Sequence, residues 1–218
     1  MKMTDLTHRI TEDIPVFHGT AQPRLERIET GHSRQTNLFL NNHLGTHIDA
    51  PAHTEIAGKF LDDLPLDRFF GLALMIDVSE FRGRSIPMEF LEGFEEALRF
   101  SQFLVLNSGY HKLWGTDEYM QDFPVLSTEA ALYLASFPDL SGLAMDTVSA
   151  DPADSQDLPV HHILLREGKL IVENLANLDQ LAGEHFLLSV LPLPFEKADG
   201  CPLRAVAFQA PAGIYYPK

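Results

Sequence analysis

Three histidines and an aspartate fall within eleven residues, in the run His43-Leu44-Gly45-Thr46-His47-Ile48-Asp49-Ala50-Pro51-Ala52-His53. Imidazole nitrogens and a carboxylate together form the ligand set of zinc, manganese or iron. A histidine taken singly is more often a hydrogen-bonded loop residue than a ligand. Four such groups at intervals of four, two and four positions are harder to read that way. The spacing also constrains the backbone. On a straight strand His43 and His47 would stand about 13 Å apart, at about 3.3 Å per residue. Two nitrogens each about 2.1 Å from one ion lie no more than about 4 Å from each other. A helix would turn Asp49 away, and Gly45 and Pro51 both oppose one. If one ion takes His43, His47 and Asp49, the chain must therefore bend at Gly45-Thr46, where glycine permits it.

His161, His162 and Glu173 make a second set of possible ligands, which only the fold could bring to the first. His162 is better read as a packed or exposed ring. The single cysteine, Cys201, lies between Gly200 and Pro202 without a nucleophile motif and has no partner for an internal disulfide.

The elements that would position these groups alternate between strand and helix. Continuous apolar runs at 72–78 and 103–107 read as buried strands. Further strands are expected at 143–146 and 170–172, the last entering Glu173, with a pair at 24–30 and 36–42 turning at Gly31-His32-Ser33. A short strand within 4–17 and two final ones, 186–192 and 203–209 around a turn at Ala198-Asp199-Gly200, complete the set. Helices are expected from Pro87 to about Phe100, from the Ser127 cap to about Ser136, and from Val160 to Glu167, ended by Gly168. This alternation implies one mixed α/β domain over residues 1–218. Its polar strand ends (Asn107 to His111, Asp146 to Asp151, Glu173-Asn174) are where such sheets bind ligands.

The chain has 218 residues, 45% of them hydrophobic and 22% charged, as in ordinary globular proteins. Sixteen basic and 31 acidic side chains give a formal charge of −15, which argues against a nucleic-acid partner. No run of signal-peptide length opens the chain, and none approaches the roughly 20 apolar residues of a membrane helix. A cytoplasmic location and no membrane partner are the expectations.

The run from His43 to His53 resembles the HxGTHxDxPxH signature of the cyclase-like metal-dependent hydrolases. That family includes bacterial kynurenine formamidases and isatin hydrolases. The resemblance extends over nearly the whole chain. Ser108 to Thr116 is similar to the family's GW-x-K-x-WGT loop, Asp146 to Pro152 to its D-x-x-S-x-D segment, and Val172 to Leu178 to its ENL segment. It implies a swivelling β/β/α fold and a homodimer or homotetramer. It also implies one ion held by His43, His47 and Asp49, with Asp49 bridging to a second held by His161 and Glu173. His53 would donate and accept the proton. Thr46 and Asn174 are candidates to orient the ligands, and Phe17 and Trp114 to line a substrate site.

The implied reaction is hydrolysis of a small-molecule amide, or of a cyclic amide or ester, with zinc as the first choice of ion and manganese as the second. It is most like that of an arylformamidase. An isatin- or lactone-type ring hydrolase and a catalytically silent metal-binding relative are the rivals. One departure bears on this choice. Where kynurenine formamidases carry a tryptophan and a Pro-Gly-Asp-Thr-Pro-like run, this chain reads Pro15-Val16-Phe17-His18-Gly19-Thr20.

Overall fold

The computed structural model describes residues 1–209. In chain order its strands are β1 (Lys2–Asp5), β2 (Arg24–Glu29), β3 (Arg34–Phe39), β4 (His47–Asp49), β5 (Phe70–Asp77), β6 (Ser85–Ile86), β7 (Phe103–Asn107), β8 (Val125–Leu126), β9 (Gly142–Met145), β10 (Leu170–Glu173), β11 (His185–Ser189), β12 (Gly200–Pro202) and β13 (Val206–Gln209). The helices are α1 (Met88–Glu92), α2 (Glu95–Arg99), α3 (Thr128–Ala135) and α4 (Pro159–Arg166). Nine of these strands form one mixed sheet in the order β1-β13-β11-β5-β7-β9-β10-β4-β12. The four central strands, β5, β7, β9 and β10, run parallel, and the flanking pairs are antiparallel.

The central strands alternate between two apolar cores, because successive side chains point to opposite faces. Leu74, Leu104, Leu106, Leu143 and Ile171 face the helices, where they meet Leu91, Leu98, Leu134 and Leu164. Ala73, Phe103, Val105, Ala144 and Val172 face the other way and meet Phe186, Leu188, Ile48, Cys201 and Ala207 from the flanking strands. Strands from both ends of the sheet therefore share one interior, and the sheet curls around it. Helices cover the outer side, which gives the expected β/β/α layering. Each fully buried Leu, Ile or Phe is worth about 1.5–3 kcal/mol.

The cap read at Ser127 is present, its Oγ accepting the Ala130 N–H at 3.1 Å. Several elements differ from the sequence pattern, two of them for a visible physical reason. The helix expected over 87–100 is two, α1 and α2, separated at Gly93-Phe94. Glycine weakens a helix interior by about 1 kcal/mol, and the Phe90 and Phe94 rings pack 5.5 Å apart across the break. The final strand begins at Val206 rather than Leu203. Gly200, expected in a turn, opens the separate strand β12, which pairs with β4. Pairing with so distant a partner leaves no trace in local periodicity.

Candidate metal centre

The bend expected at Gly45-Thr46 exists. Gly45 has φ +59°, a left-handed conformation that glycine adopts without strain. Its carbonyl accepts His47 Nδ1–H at 2.9 Å and Asn174 Nδ2–H at 2.9 Å. Thr46 Oγ1–H donates to the Asn174 carbonyl at 2.5 Å, and Thr46 Oγ1 accepts the His8 N–H at 2.9 Å. Thr46 and Asn174 thus fix the bend, and through it the His47 ring. The His43 and His47 rings come to 5.4 Å between centroids, edge to face.

Beyond the bend, β4 sets the rest by register. His47 and Asp49 share one face of the strand, and Ile48 between them is buried in the core. In the antiparallel pairing with β10, Glu173 stands opposite His47. Cross-strand neighbours meet on one face, so His47 Nε2 lies 3.4 Å from both Asp49 Oδ1 and Glu173 Oε2. His43 Nδ1 reaches Asp49 Oδ1 at 2.6 Å. His161, at the start of α4, places Nε2 3.2 Å from Glu173 Oε1 and 3.8 Å from Asp49 Oδ2.

All six residues singled out for ion binding and proton transfer therefore meet around Asp49. Their close groupings are not those of the sequence argument. Ligand atoms of His43, Asp49 and His53 lie together, as do those of His47, Asp49 and Glu173. His53 packs its ring 4.0 Å from His43 and 5.9 Å from His161. His162 stands apart, half in solvent, with Nδ1 2.8 Å from Glu55 Oε1. Trp114 reaches the centre only indirectly. It stacks on His8 at 3.9 Å and meets the edge of Tyr119, whose hydroxyl donates to Asn174 Oδ1 at 2.6 Å. Phe17 lies on an exposed turn, its carbonyl accepting Thr20 N–H. None of its described contacts joins the cluster.

Two acids that carried no role in the sequence argument hold the imidazoles. Asp151 accepts the Val160 and His161 N–H groups at 2.9 and 3.0 Å and pairs with His161 Nδ1 at 2.7 Å. One carboxylate thus caps the start of α4 and orients a ring. Asp199 faces His43 Nε2 at 3.1 Å and His53 Nδ1 at 3.5 Å. Asp151 lies in the segment similar to the D-x-x-S-x-D motif, but nothing there shows that it holds His161; Asp199 looks only like part of a turn.

The electrostatics favour positive charge. Burial opposes a proton on His43, but Asp49 and Asp199 outweigh it and raise the pKa to about 9. Burial opposes one on His161 too, yet Asp151 and Glu173 raise its pKa to about 10. Asp49 is held below the usual carboxylate range because the neighbouring imidazoles overcome its burial. His53 goes the other way, its pKa lowered chiefly by burial. One carboxylate oxygen of the cluster, Asp49 Oδ2, is buried with no hydrogen-bond partner among the described residues. A buried acceptor left unpaired costs about 1–3 kcal/mol, more when charged. A divalent cation among these imidazoles and carboxylates would satisfy it, and the nitrogen and oxygen donors suit such an ion.

The Cyclase family profile matches residues 4–152. This chain belongs to the Cyclase family. It is 33% identical over 206 residues to the kynurenine formamidase of Bacillus cereus, covering 93% of this chain and 95% of that one. It is 34% identical over 175 residues to that of Salinibacter ruber, covering 80% of each. Among solved structures, isatin hydrolase A from Labrenzia aggregata bound to benzyl benzoate superposes with TM-score 0.85 at 26% identity, over 94% of this chain and 93% of that one. No described helix of the cyclase-family chain is long and apolar enough to cross a membrane.

Proposed function

We propose that residues 1–218 form a metal-dependent hydrolase that opens the C–N bond of a small aryl amide, N-formylkynurenine-type formamides first. The observation that carries this reading is that Oδ2 of buried Asp49, among four imidazoles and Glu173, accepts no hydrogen bond from the described residues. Relatives named kynurenine formamidase, aligned over 93% of the chain, support the substrate class. Zinc is the ion we assign first and manganese second, as one ion or two. His43, His47 and Asp49 would hold one ion, and Asp49, His161 and Glu173 the other. When bound, the ion polarises the carbonyl and lowers the pKa of water toward about 7.

The protein's own groups do the rest. His47 is held by the Gly45 carbonyl through Nδ1, which leaves Nε2 facing the two carboxylates. His53 presents Nδ1 to Asp199, which leaves Nε2 to take a proton from the attacking water. As the water oxygen bonds to the carbonyl carbon and the C–N bond breaks, the same nitrogen returns that proton to the leaving amine. A formamide then gives formate and an aryl amine.

A ring-opening reading rests on the Pro15-Val16-Phe17-His18 departure and on the superposition with an isatin hydrolase. The chemistry is the same, with the cleaved amide inside a ring. The working assembly we take to be a cytoplasmic homodimer or homotetramer. Exposed Leu38, Phe39, Leu191 and Leu193 support association, which sedimentation tests. For the activity, the zinc-supplied protein is assayed on N-formylkynurenine, formanilides, isatins, cyclic imides and lactones. The expected result is hydrolysis of a formamide above background, lost on chelation and restored by zinc. Preference for isatin selects the second reading, and no turnover of any compound overturns both in favour of a silent metal-binding protein.

A further inference from the structure

Asp199 lies 156 residues along the chain from His43, yet it touches the ring. The contact is fixed by the pairing of β12 with β4, which sets Gly200 opposite Asp49 and Pro202 opposite His47. The loop before β12 is tied down on several sides. The Asp199 carbonyl accepts Ala50 N–H at 2.8 Å, and the Ala198 carbonyl accepts Leu61 N–H at 2.8 Å. Asn42 Nδ2–H donates to Asp199 Oδ1 at 2.6 Å, which turns Oδ2 toward His43 Nε2 and His53 Nδ1.

Gly200 contributes by what it lacks. A Cβ there would stand 2.3 Å from His43 Cε1 and 2.7 Å from each ring nitrogen. Real Cβ atoms essentially never come that close. Its φ is not in the left-handed region, so the requirement is for space and not for backbone freedom. The His43 ring fills the place that any other residue's side chain would take.

We propose that Asp199 and Gly200 are a positioning pair for the two outer imidazoles. Gly200 admits the His43 ring, and the Asp199 carboxylate fixes the tautomers of His43 and His53 together. A proton given to a carboxylate at one ring nitrogen leaves the other with a free lone pair, to ligate a metal or accept a proton. For His43, the bond to Asp199 at Nε2 presents Nδ1 to the Asp49 side, where it lies 2.6 Å from Oδ1. For His53, the bond at Nδ1 leaves Nε2 to carry the proton. This rests on our reading of His43 as a ligand and His53 as the proton carrier. It adds that the far end of the chain selects which nitrogen each ring offers.

The test uses the full chain with Asp199→Asn, Asp199→Ala and Gly200→Ala. Zinc affinity is measured against a chromophoric chelator, turnover is split into kcat and KM, and ring tautomers are read by ¹⁵N histidine NMR. Loss of an orienting partner typically costs about 10–100-fold in affinity or activity. That loss is expected in zinc affinity for Gly200→Ala and in kcat for Asp199→Ala, with KM little changed. In the zinc-bound wild type the His43 signal should be that of the Nε2–H tautomer, and Asp199→Ala should lose it. Asp199→Asn, whose amide oxygen still accepts a hydrogen bond, should recover part of the loss. If Gly200→Ala fails to fold, the near-isosteric Asp199→Asn and the NMR signature decide alone. Wild-type zinc affinity, kcat and tautomers in the Asp199 variants would overturn the proposal and leave the metal reading standing. A wild type that takes up no zinc would instead overturn the metal reading on which it rests.

Discussion

Two buried histidine–carboxylate clusters differ in how the acid is satisfied. Asp146 follows β9 and has every lobe used. Its Oδ1 accepts the Ser108 N–H and Oγ–H at 2.9 and 2.6 Å, and its Oδ2 accepts the His111 N–H and Nδ1–H at 3.3 and 2.9 Å. Asp49, equally buried, has one strong partner in His43, while its Oδ2 accepts no hydrogen bond among the described residues and has only His161 Nε2 at 3.8 Å. The Asp146 cluster holds a loop and a ring in place. Among the described residues, the Asp49 cluster leaves one buried carboxylate oxygen without a hydrogen bond, which a cation would satisfy. The two acids are told apart by their hydrogen-bond partners, since both are buried beside histidine.

The largest effect tests the unsaturated side of this comparison. Asp49→Ala removes the oxygen shared by both ligand groupings, and a metal ion supplies several kcal/mol of transition-state stabilisation. At a factor of ten per 1.36 kcal/mol, kcat/KM should fall about 10⁴-fold, with bound metal per chain falling alongside. Wild-type metal content would place the cation elsewhere. His53→Ala should lower turnover by about 10²–10⁴-fold while metal content holds, and retained turnover would remove it from the proton path.

The saturated side answers through stability. Asp146→Ala strands the buried donors of His111 and Ser108, at about 1–3 kcal/mol each. For a chain of this size that is about 2–4 °C of Tm per kcal/mol, while metal content stays at the wild-type level. Loss of metal without loss of Tm would erase the distinction between the clusters.

The smallest effect concerns His8, which stacks on Trp114 beside the Asp146 cluster and whose Nε2 is buried without a hydrogen-bond partner among the described residues. Burial, helped by His111, lowers its pKa from 6.5 to about 4. Between these values the unfolded chain holds a proton that the folded protein does not. Stability therefore falls as pH falls from 6.5 toward 4, and this contribution is flat above 6.5. His8→Gln should shallow the slope of Tm against pH in that window; an unchanged slope would mean that His8 titrates normally.

Much of the candidate site is legible in the sequence because His43, His47, Asp49 and His53 are crowded into eleven residues. Gly45 shows where the bend must fall, and the apolar run at 103–107 is a strand with the same bounds in the structure. Asp199 and Gly200 are invisible to such reading, since they reach His43 only through the β12–β4 ladder. Long-range pairing also decides that Glu173 faces His47 and that Gly200 to Pro202 form a strand of their own. Asp151 was inside a recognised segment, but its bond to His161 depends on how α4 starts. Local chemistry leaves a mark in residue type and spacing, whereas sheet order does not.

The central claim, that the cation belongs to the acid with the spare oxygen, can be tested by soaking crystals in zinc and recording anomalous differences at the zinc edge. The expected result is a peak beside Asp49 Oδ2, within reach of His161 and Glu173, and none at Asp146. A peak at Asp146, or a soaked crystal with no density beside Asp49, would contradict it.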